Sequence, residues 1–153
     1  MAAAALEKNI SVEIVTPSGV EYGGTVEGLV VPGEEGYLGI RPGHAPLMAG
    51  LQPGVVTLHL AETDHYAAVS GGAMEVFENR VTVLADTAES APEIDIARAR
   101  EAMERAKRRL QMPHPARAER GIDTDRAHAA LLRATARLRT AEKAGRAESH
   151  TGT

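Results

Sequence analysis

The sequence predicts an α+β chain: an N-terminal antiparallel β-sandwich, or flattened barrel, followed by a C-terminal antiparallel two-helix hairpin. Three observations carry this. Residues 1–93 hold 3 basic and 13 acidic residues, whereas residues 94–147 hold 14 basic and 7 acidic. Gly and Pro together number 18 in the first 93 residues and 5 in the last 60. Frequent turn residues in one part and few in the other mean two architectures. The hydrophobic pattern also changes, from alternation to a helical stripe. The border falls near Ser90–Glu93, giving domains 1–90 and 91–153.

Ile10, Val12 and Ile14 alternate with polar residues, as a half-buried strand does. Val26–Val31, Val55–Leu60, Tyr66–Val69, Met74–Phe77 and Val81–Leu84 are further short β-rich runs. Turn clusters separate them: Thr16–Gly19, Pro32–Gly36, Arg41–His44, Gln52–Gly54, Glu62–Asp64, Ser70–Gly72 and Glu78–Arg80. Many short strands at this spacing imply an antiparallel sandwich or flattened barrel. A parallel sheet would need crossover helices between neighbouring strands, and no segment here can supply them.

The second part carries an internal repeat. Residues 94–110 recur as 122–138, an offset of 28 with nine of seventeen positions identical. Each copy opens Ile-Asp, with Asp95 and Asp123 as N-caps and Ile94 and Ile122 at the staple position. Pro113 and Pro115 break the chain between the copies. On a helical wheel Ala99, Ala102, Ala106 and Leu110 form one stripe, and Ala127, Ala130, Ala134 and Leu138 its counterpart. Beside them run Arg98, Arg105 and Arg109, matched by Arg126, Arg133 and Arg137. Ala is the best helix former but buries little surface. Such helices persist while their mutual packing is easily exchanged, the profile of an element with two arrangements.

Several function classes drop out. There is no Cys, so disulfides and thiol nucleophiles are absent, and one Phe with no Trp leaves little for stacking nucleic-acid bases. The apolar run Ala2–Leu6 has no basic flank and does not read as a signal peptide. The longest charge-free run, Pro42–Ala61, contains three Pro and cannot be a membrane helix. No P-loop, Rossmann fingerprint, zinc-protease motif or nucleophile elbow is present. Glu62-Thr63-Asp64-His65 reads as a solvated turn rather than a metal site, and we expect no catalytic residues and no metal. The Arg stripes admit three readings: a solvated face with pairs such as Glu101–Arg105 and Glu104–Arg108, a phosphate-tracking surface, or a site for a small polyanion such as a nucleoside triphosphate.

Val31–Leu47, with its Pro-Gly-His-Ala-Pro-Leu loop, Leu51–Gly54, the Ser-Gly-Gly strand Ser70–Val76 and Val81–Ala88 closely resemble the epsilon subunit of the rotary F-type ATP synthase. The resemblance runs from about residue 8 to residue 141. It implies a β-sandwich and a helical hairpin, and a non-catalytic place in the central stalk with the gamma subunit, the ring of c subunits and the alpha/beta catalytic hexamer. Such a subunit couples proton-driven rotation to ATP synthesis. Its hairpin folds against the sandwich or extends towards the hexamer, where it suppresses ATP hydrolysis. The implied location is the cytoplasmic face of the cell membrane, peripheral and through the complex.

In some bacterial members ATP binds the folded hairpin through an Ile/Leu-Asp-x-x-Arg-Ala motif, here Ile94, Asp95, Arg98 and Ala99. The resemblance adds Glu89, Arg133 and Arg137 to that regulatory site and implies no cofactor apart from this ATP. It also implies that Gly33, Glu34, Glu35, Gly36 and Tyr37 face the c ring and that His44 lies near gamma. Tyr37 stands where some members carry an acid, and the Gln111–Gly121 connection is longer than the usual interhelical turn. The competing readings are a free-standing nucleotide-sensing protein and an Arg-rich nucleic-acid-binding adaptor.

Overall fold

The computed structural model describes residues 8–151, so the Ala2–Leu6 run lies outside the described residues. Eight strands come first: β1 (Ile10–Thr16), β2 (Gly19–Val26), β3 (Gly28–Gly33), β4 (Gly36–Ile40), β5 (Leu47–His59), β6 (Asp64–Phe77), β7 (Arg80–Ala85) and β8 (Ala88–Ser90). A 3-10 turn, Ala91–Glu93, leads to α1 (Ile96–Gln111), α2 (His114–Glu119) and α3 (Thr124–Thr151).

The strands hydrogen-bond in the order β2-β1-β7-β6-β5-β3-β4, with β8 on β6. Every pair is antiparallel except β1 with β7, which is parallel. The sheet is therefore mixed. The expected absence of parallel pairing held only for neighbours in sequence. Five strands separate β1 from β7, which is chain enough to return in the same direction without a crossover helix.

Two expected turns lie inside strands. Gln52–Gly54 falls within β5 and Ser70–Gly72 within β6, and the two segments face each other, Leu51 opposite Gly72 and Pro53 opposite Ser70. Gly71 and Gly72 have φ of +110° and +135°, and a Cβ on Gly72 would stand 1.9 Å from the Leu84 carbonyl oxygen. Only glycine fits there, and it lets both strands bend while their pairing continues. The bend distributes each strand over both layers. Leu47–Leu51 and Gly72–Phe77 join β7, β1 and β2 in one layer. Val55–His59 and Asp64–Val69 join β3, β4 and β8 in the other. Between the layers Ile10, Val12, Ile14, Leu29, Val31, Ile40, Val56, Leu58, Met74 and Val83 fill the core.

β2 and β4 escape a reading by hydrophobic alternation, because Gly19, Gly23, Gly24, Gly36 and Gly39 dilute it. The helical part differs from a plain hairpin by α2, a six-residue helix in the connection. Pro115 occupies its first turn, where the missing N–H costs nothing. The Arg117 guanidinium donates to the Leu110 carbonyl at 3.4 Å, satisfying a carbonyl at the end of α1.

Candidate functional site

The elements around the first candidate site are fixed by local capping. Glu93 accepts from the Ser90 backbone N–H at 3.0 Å and from its hydroxyl at 2.6 Å. Those two bonds hold its carboxyl below the ordinary glutamate range. Asp95 accepts the Arg98 backbone N–H at 3.0 Å and caps α1, and Asp123 accepts that of Arg126 at 3.1 Å and caps α3. Ala99, Ala106, Ala127 and Ala134 are buried along the α1–α3 seam, as the stripes require. The i,i+4 pair Glu101–Arg105 is present at 3.8 Å, but Glu104 pairs with Lys107 rather than Arg108.

α3 also lies across the outer face of β5 and β6. Val55, Thr57 and Ala68 point outward on those strands, outside the sandwich core, yet they are buried. Ala136 and Thr140, one turn apart on α3, are buried as well. The Thr140 hydroxyl is satisfied by the Ala136 carbonyl at 2.8 Å.

Where β8, the 3-10 turn and the two long helices meet, a cavity of about 520 Å³ opens. Glu89, Asp95, Arg98, Ala99 and Arg137 line it, five of the seven residues expected there. Ile94 is buried beneath as the staple at the entry to α1, and Arg133 is not in the cavity wall. Arg133 lies one helical turn before Arg137, about 6 Å along the axis of α3. Arg105, Glu93, Thr87, Ala88 and Ala102 complete the wall and were not expected. Arg105 was legible as the next member of the Arg98 stripe, two turns on.

The Arg137 Nε donates to Glu89 Oε2 at 2.6 Å, both groups about one-third exposed. Arg98 forms no ion pair among the described residues. The cavity thus holds three guanidinium groups and three carboxylates, with Arg137 paired to Glu89, Arg105 loosely to Glu101 outside the wall, and Arg98 in no ion pair among the described residues. That arrangement can take up a small anion through charge-assisted hydrogen bonds.

A second set of residues faces outward. In the Gly33–Tyr37 turn the Glu34 N–H donates to the Gly50 carbonyl at 3.0 Å, and the Gln52 amide to the Gly33 carbonyl at 3.0 Å. The Val55 N–H reaches the Tyr37 hydroxyl at 3.4 Å. Glu34 and Glu35 are exposed at the tip. The His44 loop is tied as firmly. The His44 N–H donates to the Arg41 carbonyl at 3.1 Å, and the Gly43 N–H to Asn79 Oδ1 at 3.0 Å. Asn79 sits in the two-residue turn between β6 and β7, where it and Glu78 both have positive φ.

Sequence reasoning missed an apolar band on the outer face of the β1–β2–β7 layer. Val20, Val15, Leu84 and Ala73 stand in register across four strands. Val20 and Leu84 are more than half exposed, as are Met48 and Phe77 nearby. The signal was present in the phase of each strand, since core-facing Val81 and Val83 put Leu84 outside. Glu62, Asp64 and His65 do not converge, and among the described residues no group of three such side chains could hold a metal ion. Asp64 instead lies 2.8 Å from His59 Nδ1 and accepts from the Tyr66 hydroxyl at 3.4 Å.

The chain matches two family descriptions: the ATP synthase delta/epsilon chain β-sandwich domain over residues 9–91, and the long alpha-helix domain of the same family over residues 93–142. It is 46% identical over 134 residues to the ATP synthase epsilon chain of Moorella thermoacetica, covering 87% of this chain and 96% of that one. It is 45% identical over 138 residues to that of Syntrophomonas wolfei, covering 90% and 97%. Among solved structures, a chain of the Euglena gracilis mitochondrial ATP synthase superposes with a TM-score of 0.74 over 94% of this chain and 86% of that one. At 20% identity this is a likeness of fold.

Proposed function

The chain belongs to the ATP synthase delta/epsilon family, as an epsilon chain and a non-catalytic member, and from that premise we propose what its surfaces do. The sandwich, residues 1–90, is the docking unit. The His44 loop and the apolar band with Met48 and Phe77 seat on gamma, and the Glu34–Glu35 tip meets the ring of c subunits. The helices, residues 91–153, are the regulatory unit. They fold on the sandwich in one state and extend towards the alpha/beta hexamer in the other, where they suppress hydrolysis. No described helix is long and apolar enough to cross a membrane. The subunit is held at the membrane by the complex, on its cytoplasmic face.

The observation that carries this reading is the seam on which the helices lie. On the helices its buried residues are Ala99, Ala106, Ala127, Ala134, Ala136 and Thr140, and on the sheet beneath α3 they are Val55, Thr57 and Ala68, so Val55 is the one larger apolar side chain among them. A layer attached so lightly can leave without disturbing what lies beneath. Purifying the tagged chain from membranes and identifying the retained chains tests the assignment. Recovery with gamma, c and the catalytic subunits supports it, and recovery of the chain alone sinks it. Deleting residues 91–153 should leave assembly intact and raise ATP hydrolysis by the complex. His44→Asp should weaken capture of gamma without unfolding the sandwich.

The folded hairpin is also proposed to bind regulatory ATP in the Glu89–Arg137 cavity. Arg98 and Arg105 would meet phosphate oxygens, and Glu89 would release or share Arg137. The Glu89–Arg137 pair already screens that cation in the folded arrangement. Arg133 lies outside the wall, and its share in binding is the weakest part of the expected set. Calorimetric titration of ATP should give a loss on Arg98→Ala of about 1.5–3 kcal/mol and a smaller one on Arg133→Ala. Equal affinity in wild type and Arg98→Ala would remove the site.

A further inference from the structure

We propose that the end of α3 beyond Glu142 is a latch holding the helices on the sandwich, with Lys143 over Tyr66 as its catch. The inference rests on the reading above that the helices leave the sandwich to regulate the complex. It assigns what sets how often they do so in this chain.

The family's helical domain matches only to residue 142, but α3 continues to Thr151. The added turns keep to the sandwich. Lys143 Nζ stands 6.0 Å from the centre of the Tyr66 ring, within reach of its negative face. The same ring ends in a hydroxyl bonded to Asp64, so a carboxylate lies just beyond it. Arg139 and Arg146 line the cavity of about 600 Å³ that also holds Lys143, Tyr66 and Asp64. On the other flank Ala144 and Ala147 face Tyr66 and the Ala91–Pro92 turn across a gap of about 420 Å³. Small side chains at these two positions let the helix lie close, and the cations beside them share the cavity with Asp64 of the sheet.

Besides the packing of Ala136 and Thr140, two polar contacts hold α3 to the sandwich. Arg137 is held by Glu89 at one point and Lys143 by Tyr66 at the other, about 9 Å apart along the helix. One point alone lets a rod pivot, whereas two resist rotation about either. Losing Lys143 therefore raises the undocked fraction even with Glu89–Arg137 intact.

The natural chain has no Cys, so one introduced thiol reports on one place. Val55→Cys puts it on the outer face of β5 beneath α3, where Val55 is 1% exposed, and Val56→Cys puts it in the sandwich core. The labelling rate of each by a thiol reagent reads, in the isolated full-length chain, how often that place opens. Adding Lys143→Glu or Tyr66→Leu should speed labelling at position 55 by about three- to fivefold and leave position 56 unchanged. Lys143→Arg should restore the slow rate, because a guanidinium also stacks on the ring. Unchanged labelling at position 55 in Lys143→Glu overturns the latch. So does equal acceleration at both positions, which would mean general loss of stability. Neither outcome involves other subunits, so the latch can fail while membership of the complex stands, and the reverse.

Discussion

Between the two sheet layers, sixteen buried residues pack together, and all but Ala85 are Val, Ile, Leu or Met. Between α1 and α3, and under α3, the buried set is six Ala, two Thr and one Val: Ala99, Ala106, Ala127, Ala134, Ala136 and Thr140 on the helices, with Val55, Thr57 and Ala68 on the sheet. Each large side chain in the first set is worth about 1.5–3 kcal/mol on burial, whereas an Ala methyl is worth about 0.8. The sandwich is therefore built to stay folded through any working cycle. The helical layer, with small buried side chains, is held less strongly, as the proposed undocking requires. What separates the strongly held layer from the lightly held one is the size of the buried side chains, not the regularity of the secondary structure.

The widest test of that contrast is Leu29→Ala, which should lower sandwich stability by about 2–5 kcal/mol, read by urea unfolding. A loss under 1 kcal/mol would mean that this core is not the fixed body. Ala134→Leu should act only on the other side of the comparison. Overfilling the seam should cost about 1–3 kcal/mol of helix docking, seen as faster proteolysis of residues 91–153 with sandwich unfolding unchanged. Glu89→Gln removes the partner of Arg137 at a pair about one-third exposed. It should raise the undocked fraction by about two- to fivefold in the thiol-labelling assay. Smallest is the response to acid at Glu93, whose carboxylate is stabilised in the fold by Ser90. Because its folded pKa is lowered, the contribution is complete above the ordinary glutamate value and fades as pH falls through the folded one. Glu93→Gln should abolish that acid-side loosening at the start of α1, followed by NMR of the Ser90 amide.

The parts of this molecule legible in its residues are those where one local rule acts alone. Asp95 and Asp123 cap their helices as the repeated Ile-Asp indicates, and the Ala stripes meet. The pairing of β1 with β7 was not legible, because register between strands seventy residues apart depends on the whole layer. The Pro-Gly and Gly-Gly steps in β5 and β6 read as turns. Only their facing positions show that they bend a continuing ladder instead. In the cavity, Glu89, Asp95, Arg98, Ala99 and Arg137 came from motif resemblance and do converge. Arg133, one turn before Arg137 on the same helix, does not line the cavity in this arrangement. Tyr66 and Lys143 gave no signal at all, being neighbours only once the end of α3 crosses the sheet.

The bend shared by β5 and β6 has a mechanical meaning. Strands of 13 and 14 residues each run from the layer bearing the apolar band to the layer under α3. A sideways push on one layer therefore pulls lengthwise on continuous covalent backbone in the other. It does not work against side-chain packing between separate sheets. Ladder hydrogen bonds loaded along the strand share force in parallel and yield together, whereas those loaded across it open one after another. A body wired in this way passes torque with little internal slip. Any side chain at position 72, pressing on the Leu84 carbonyl, would weaken the joint where that load changes direction.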